Sequence, residues 1–195
     1  MTWTAIDLES DWKNKKMGEI IMNLRKNILT ALLLAIGFIM HQVVPGTLGS
    51  MKFDLMLSFI FIAIIINRDF KSVLLTALLG GLITALTTTF PGGQIPNIID
   101  KLVSCIFVYG LLRIIGKYKL NQVSIAIIAF LGTMVSGTVF LTSASFIVGL
   151  PAPFTALFVA IVIPTSITNI FVTVIIYNAV KATLRATKSS FVDNV

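Results

Sequence analysis

In a chain dominated by apolar residues, a handful of polar side chains could do chemistry: His41, Asp54, Gln94, Asn97, Asp100, Lys101 and Asn169. Two carboxylates and one ammonium inside apolar stretches suit the binding of a small charged molecule, because intramembrane ionisable groups are costly and mark ligand or ion sites. Catalysis lacks its usual parts. No serine occupies a nucleophile elbow, and no HExxH or paired-histidine motif occurs. One histidine and one cysteine, Cys105, make no metal site and no intrachain disulfide. The stretch from Gly110 to Gly116-Lys117 has five intervening residues where a phosphate loop has four, and Tyr118 stands where Ser or Thr belongs. No catalytic residue, metal or cofactor is therefore assigned.

Four of these residues cluster in Thr87-Thr88-Thr89-Phe90-Pro91-Gly92-Gly93-Gln94-Ile95-Pro96-Asn97-Ile98-Ile99-Asp100-Lys101. Pro91 ends the preceding helix, Gly92-Gly93 permits a tight turn, and Pro96 presets the first turn of the next helix. Asn97 to Asp100 reads as a capping box with Asp in place of Glu, giving a helix N-terminus able to receive an anion. Asp100 and Lys101 are adjacent, about 100° apart on a helix. They are expected not to face each other, one pointing to a cavity while the other snorkels. Asp54 opens an apolar run, where it complements a helix dipole or binds a ligand. His41 suits an interfacial hydrogen bond.

The elements that must position these groups are membrane spans. Of 195 residues, 56% are hydrophobic and 12% charged, and mean hydropathy is +0.97, the signature of an integral membrane protein rather than a soluble domain. Six apolar runs, 28–44, 53–67, 72–90, 97–116, 123–149 and 154–180, approach the roughly 20 residues that a bilayer crossing needs. The second is short and the fifth long, so tilt or thinning is expected there. Residues 1–26 form a polar leader that reads as a disordered cytoplasmic tail, 27–185 a six-helix transmembrane domain, and 186–195 a short cytoplasmic tail. The net charge of +7 belongs to loops between spans, so it reports topology and not nucleic acid. Thirteen of the fifteen Lys and Arg fall on one side, leaving Lys52 and Lys101 on the other. The positive-inside rule then puts both termini in the cytoplasm. Pro45, Pro91, Pro96, Pro151 and Pro153 all lie on the outer side, where stiffened loops place the recognition surface.

Within the spans, Thr165, Asn169, Thr173 and Tyr177 recur at spacing four, beside Ser166 and beyond Pro164. The hydroxyls can heal the Pro164 break, whereas Asn169 faces either another helix or a ligand. Small residues at spacing four (Ala77, Gly81, Ala85; Thr76, Gly80, Thr84, Thr88; Gly132, Ser136; Thr133, Gly137) allow close helix approach. Ala31 and Ala35 form a further small-residue patch in span 1, whose default reading is an ordinary intramolecular contact.

The stretch from Ala85 to Lys101 closely resembles the signature of the TrpP-type tryptophan transporter family. Met51-Lys52-Phe53-Asp54-Leu55-Met56-Leu57 and Ile147-Val148-Gly149-Leu150-Pro151 resemble two further family segments. The resemblance runs from about Asn23 to Arg185; the acidic, Trp-containing leader departs from it. That family is similar in size and layout to the substrate-binding S-components of energy-coupling factor (ECF) transporters. The likeness implies a six-helix bundle with a ligand site near the outer face. It also implies docking on a transmembrane scaffold subunit bearing two ATPases, through an A-x-x-x-A patch that Ala31 and Ala35 match.

Taken together, these readings lead to the expectation of a multi-pass protein of the bacterial plasma membrane that takes up L-tryptophan as an S-component-like binding subunit. Asp54, Asp100, Lys101 and the start of span 4 would serve the zwitterion. Met51, Phe53, Phe90, Phe107, Phe140 and Asn169 are candidates to wall the indole and accept its N–H. The rivals are a stand-alone ion-coupled carrier using Asp54 or Asp100, and a non-transporting intramembrane enzyme or assembly subunit.

Overall fold

A computed structural model describes residues 5–46, 51–115 and 120–187, and six helices account for most of them. They are α1 (Ala5–Val43), α2 (Met56–Ile66), α3 (Phe70–Leu86), α4 (Gln94–Ile115), α5 (Gln122–Ile147) and α6 (Phe154–Ala186). Lys15–Val43 of α1, α5 and α6 are each long and apolar enough to cross a membrane, while α2 and α3 are shorter apolar helices. The apolar runs read from sequence correspond to these helices one for one.

Two differences have physical causes. The leader is helical from Ala5, continuous with the first span, where sequence suggests a disordered tail; no Pro or Gly-rich break separates it from the apolar run. At 1.5 Å per residue a 39-residue helix reaches about 58 Å, well beyond a bilayer core of about 30 Å. Trp3 lies outside the described residues, and exposed Trp12 carries the Lys16 ammonium over its ring. The second difference is α2. All eleven of its residues are buried, so it is wrapped by protein rather than lipid. Its length is therefore not set by the bilayer, and tilt or thinning need not be invoked. Irregular backbone at residues 51–55 leads into it, tolerable at membrane depth where it packs against protein or lines a cavity.

The small residues place the helices. A Cβ on Gly80 would meet Ile60 of α2 at 2.7 Å, and one on Gly81 would meet the Ile98 backbone of α4 at 3.2 Å. On α5, Gly132 abuts Phe61 and Val108, and Gly137 abuts Val162. Helix α6 widens into a π turn over Phe158–Val162, just before Pro164, whose ring cannot accept the regular α register. Thr165 and Ser166 donate to the Ile161 and Val162 carbonyls at 2.6 and 2.8 Å, the back-bonding to their own helix that hydroxyls make in membrane spans.

Candidate functional site

The polar residues converge at the end of the bundle that holds the C-terminal ends of α1, α3 and α5 and the starts of α2, α4 and α6. There a cavity of about 630 Å³, its open mouth included, lies between these elements. Its polar lining comes from His41, Lys52, Asp54, Asn97 and Asp100, with the hydroxyls of Thr88, Thr89, Thr133, Ser136 and Thr165. Its apolar lining includes Met51, Phe90, Leu141, Ile161 and Val162, which belong to one buried cluster, and Phe140, which packs against that cluster. Phe90 and Phe140 pack edge to face, centroids 5.8 Å apart.

The turn between α3 and α4 closes one side. Gly92 takes φ of +72°, a left-handed conformation that side chains disfavour. A Cβ there would also strike Val148 at 2.8 Å. The glycine thus lets the turn bend and pack on the end of α5. Helix α4 starts at Gln94, four residues earlier than the capping-box reading implies. Asn97 consequently does not cap it; its Nδ2 donates to the Gly93 carbonyl at 2.7 Å. Asp100 lies in the second turn and reaches inward. Gln94 is exposed and does not line the cavity.

Beneath the cavity, Lys101 is fully buried. Its Nζ lies 2.6 Å from Asp54 Oδ2 and also contacts Asp100 Oδ2. This corrects the expectation that Asp100 and Lys101 look apart: the long lysine stem curls back along α4, and a buried ammonium needs anionic partners. Both Asp100 oxygens are engaged, Oδ2 by Lys101 and Oδ1 by Ser104 at 3.3 Å. Asp54 differs. Its Oδ1 is buried and has no hydrogen-bond partner among the described residues. His41 Nε2 stands 4.0 Å away, beyond hydrogen-bond range. Thr87 fixes the ring, its Oγ1 lying 2.8 Å from His41 Nδ1 and donating to the Ile83 carbonyl at 2.7 Å. Lys52 Nζ donates to the Thr87 carbonyl at 2.9 Å, setting a cation at the cavity wall. Sequence reasoning missed Lys52 as a site residue. Its one signal was being, with Lys101, one of two cations on the sparsely charged side.

Asn169 is spent inside the protein. Its Nδ2 donates to the Asp54 carbonyl at 3.0 Å and to Thr133 Oγ1 at 3.1 Å, and its Oδ1 accepts from Ser58 at 3.0 Å. It ties α6 to α2 and α5, so of the two readings the interhelical one holds. Phe107 is exposed away from the cavity, and Phe53 packs partly buried in the apolar cluster. Ala31 and Ala35 are exposed on α1, whose buried face carries Thr30, Leu33, Leu34 and His41. Internal packing is therefore not their role.

Residues 23–185 match the family model described as Tryptophan transporter TrpP. A Clostridium acetobutylicum protein described as a probable tryptophan transport protein is 46% identical over 165 residues, 84% of this chain and 96% of the relative. Relatives of the same description from Bacillus subtilis and Clostridium perfringens are 42% and 40% identical over 172 and 177 residues, covering 98% and 97% of their own lengths and 88% and 84% of this chain. No solved structure matches the chain. The match reaches into all six helices and covers the loops that frame the cavity, and the chain is a multi-pass membrane protein of the TrpP tryptophan transporter family.

Proposed function

We propose that the chain takes up L-tryptophan across the bacterial plasma membrane and binds it in the cavity beside Asp54, at the outer face. The observation that carries this reading is the unpartnered Asp54 Oδ1 at the wall of a cavity that also offers Lys52 and the Phe90–Phe140 pair. A zwitterion needs one acceptor for its ammonium and one cation for its carboxylate, and Asp54 and Lys52 supply them. The aromatic pair and Leu141 give the indole an apolar wall. Lys101, itself paired with Asp100, holds Asp54 from below, and His41 stands at its flank. The related proteins described as tryptophan transport proteins support the choice of ligand. The charge split of the loops supports cytoplasmic termini and an outward-facing cavity.

Calorimetric titration of the detergent-purified protein with L-tryptophan tests the reading. Saturable binding that falls at least tenfold in Asp54→Asn is expected; absence of binding by the wild type overturns it.

The chain carries no phosphate loop, and its exposed Ala31–Ala35 face suits docking on another helix. We infer S-component-like energising through a scaffold subunit with two ATPases. Replacing both alanines with leucine is expected to abolish uptake in cells while leaving purified binding intact. Unchanged uptake would favour the stand-alone carrier.

A further inference from the structure

We infer that Asn97 is the residue that selects the indole ring, its side-chain oxygen accepting the ring N–H. The inference rests on the tryptophan reading above and goes beyond it by assigning the group that reads the ring.

Asn97 is 7% exposed and lines the cavity. Its amide has a fixed orientation, because Nδ2 donates at 2.7 Å to the Gly93 carbonyl. A carbonyl accepts only, so the flipped amide would set oxygen against oxygen. Oδ1 is thereby the free end, and it accepts from no donor among the described residues. An acceptor held in this orientation in the cavity wall suits a ligand that brings a donor.

Several neighbouring acceptors are committed elsewhere. Thr133 Oγ1 accepts from Asn169, Thr88 Oγ1 accepts from the Phe90 amide at 3.2 Å, and Asp100 is held by Lys101 and Ser104. Thr165 Oγ1 remains a rival, its proton given to the Ile161 carbonyl. Asn97 has the better setting, because the turn that fixes its amide also carries Phe90, which walls the ring. The selected ligand class is an amino acid bearing an aromatic ring with its own N–H. A site with such an acceptor penalises an analogue that lacks the donor.

The test compares L-tryptophan with L-3-benzothienylalanine, in which sulfur replaces the ring N–H at nearly constant shape, by calorimetry on the purified full chain. The wild type is expected to prefer tryptophan by about tenfold or more. In Asn97→Ala, tryptophan affinity is expected to fall while that of the analogue stays, collapsing the preference. Thr165→Val is expected to keep it. Equal wild-type affinities for the two ligands overturn the inference without any variant, as does a preference that survives Asn97→Ala or is lost in Thr165→Val. In each of these outcomes tryptophan still binds and the transport reading stands. Failure of the wild type to bind tryptophan would overturn both.

Discussion

The Lys101 ammonium lies 2.6 Å from Asp54 Oδ2 while also touching the carboxylate of its chain neighbour Asp100. One buried cation thus joins the start of α2 to the second turn of α4. Two carboxylates share that one ammonium, and Asp54 Oδ1 keeps no hydrogen-bond partner among the described residues, the oxygen proposed above to receive the ligand ammonium.

Removing the cation should be severe. Lys101→Met leaves two buried carboxylates without their partner, and breaking such an arrangement costs about 3–5 kcal/mol. A lower thermal unfolding temperature in detergent is expected, with partial recovery when Asp54→Asn and Asp100→Asn are added. An unchanged unfolding temperature for Lys101→Met alone would show that the triad does not hold α2 to α4.

The two carboxylates should differ in ligand binding. Loss of a charge-assisted contact costs about 1.5–3 kcal/mol, roughly 10–150-fold in affinity. Asp54→Asn should show that loss for tryptophan. Asp100→Asn should show less, because both its oxygens are already engaged within the protein. The reverse order in titrations of the two folded variants would move the ammonium to Asp100.

Gly137 sets the spacing of α5 and α6 at the cavity. A Cβ there would lie 2.5 Å from Val162 Cγ1, so Gly137→Ala must push the π turn aside. Overpacking of this kind costs about 1–3 kcal/mol. A lower unfolding temperature and weaker tryptophan binding are expected. Gly110→Ala is the control, since nothing lies within 4 Å of its added Cβ. If both variants behave like the wild type, the α5–α6 contact is not a tight one.

Topology is open to a direct check. A reporter fused after Val195 should be cytoplasmic, and a tag within 149–153 should be labelled from outside intact cells. Labelling of that tag only after permeabilisation would invert the bundle.

Much of the fold was legible because hydropathy and helix breakers are local properties. Six apolar runs gave six helices, and small residues at spacing four marked the contacts made by Gly80, Gly81, Gly132 and Gly137. What hydropathy does not distinguish is an apolar helix facing lipid from one enclosed by protein. Both are apolar all round, so the burial of α2 emerged only from the packing.

For the site, the sequence by itself determined the chemical groups available and the end of the bundle at which they gather. Lys52 and Lys101, the two cations set apart from the basic loops, both belong there. Only the tertiary structure decided which group meets which. Whether Asn169 spent its amide on protein or ligand depended on α2 and α5 lying beside it. Whether Lys101 looked toward or away from Asp100 depended on a flexible side chain answering to Asp54, far off in the sequence. Helical spacing fixes the direction of a Cα–Cβ bond. The position of a charge at the end of a four-carbon stem follows from the partners that other segments bring to it.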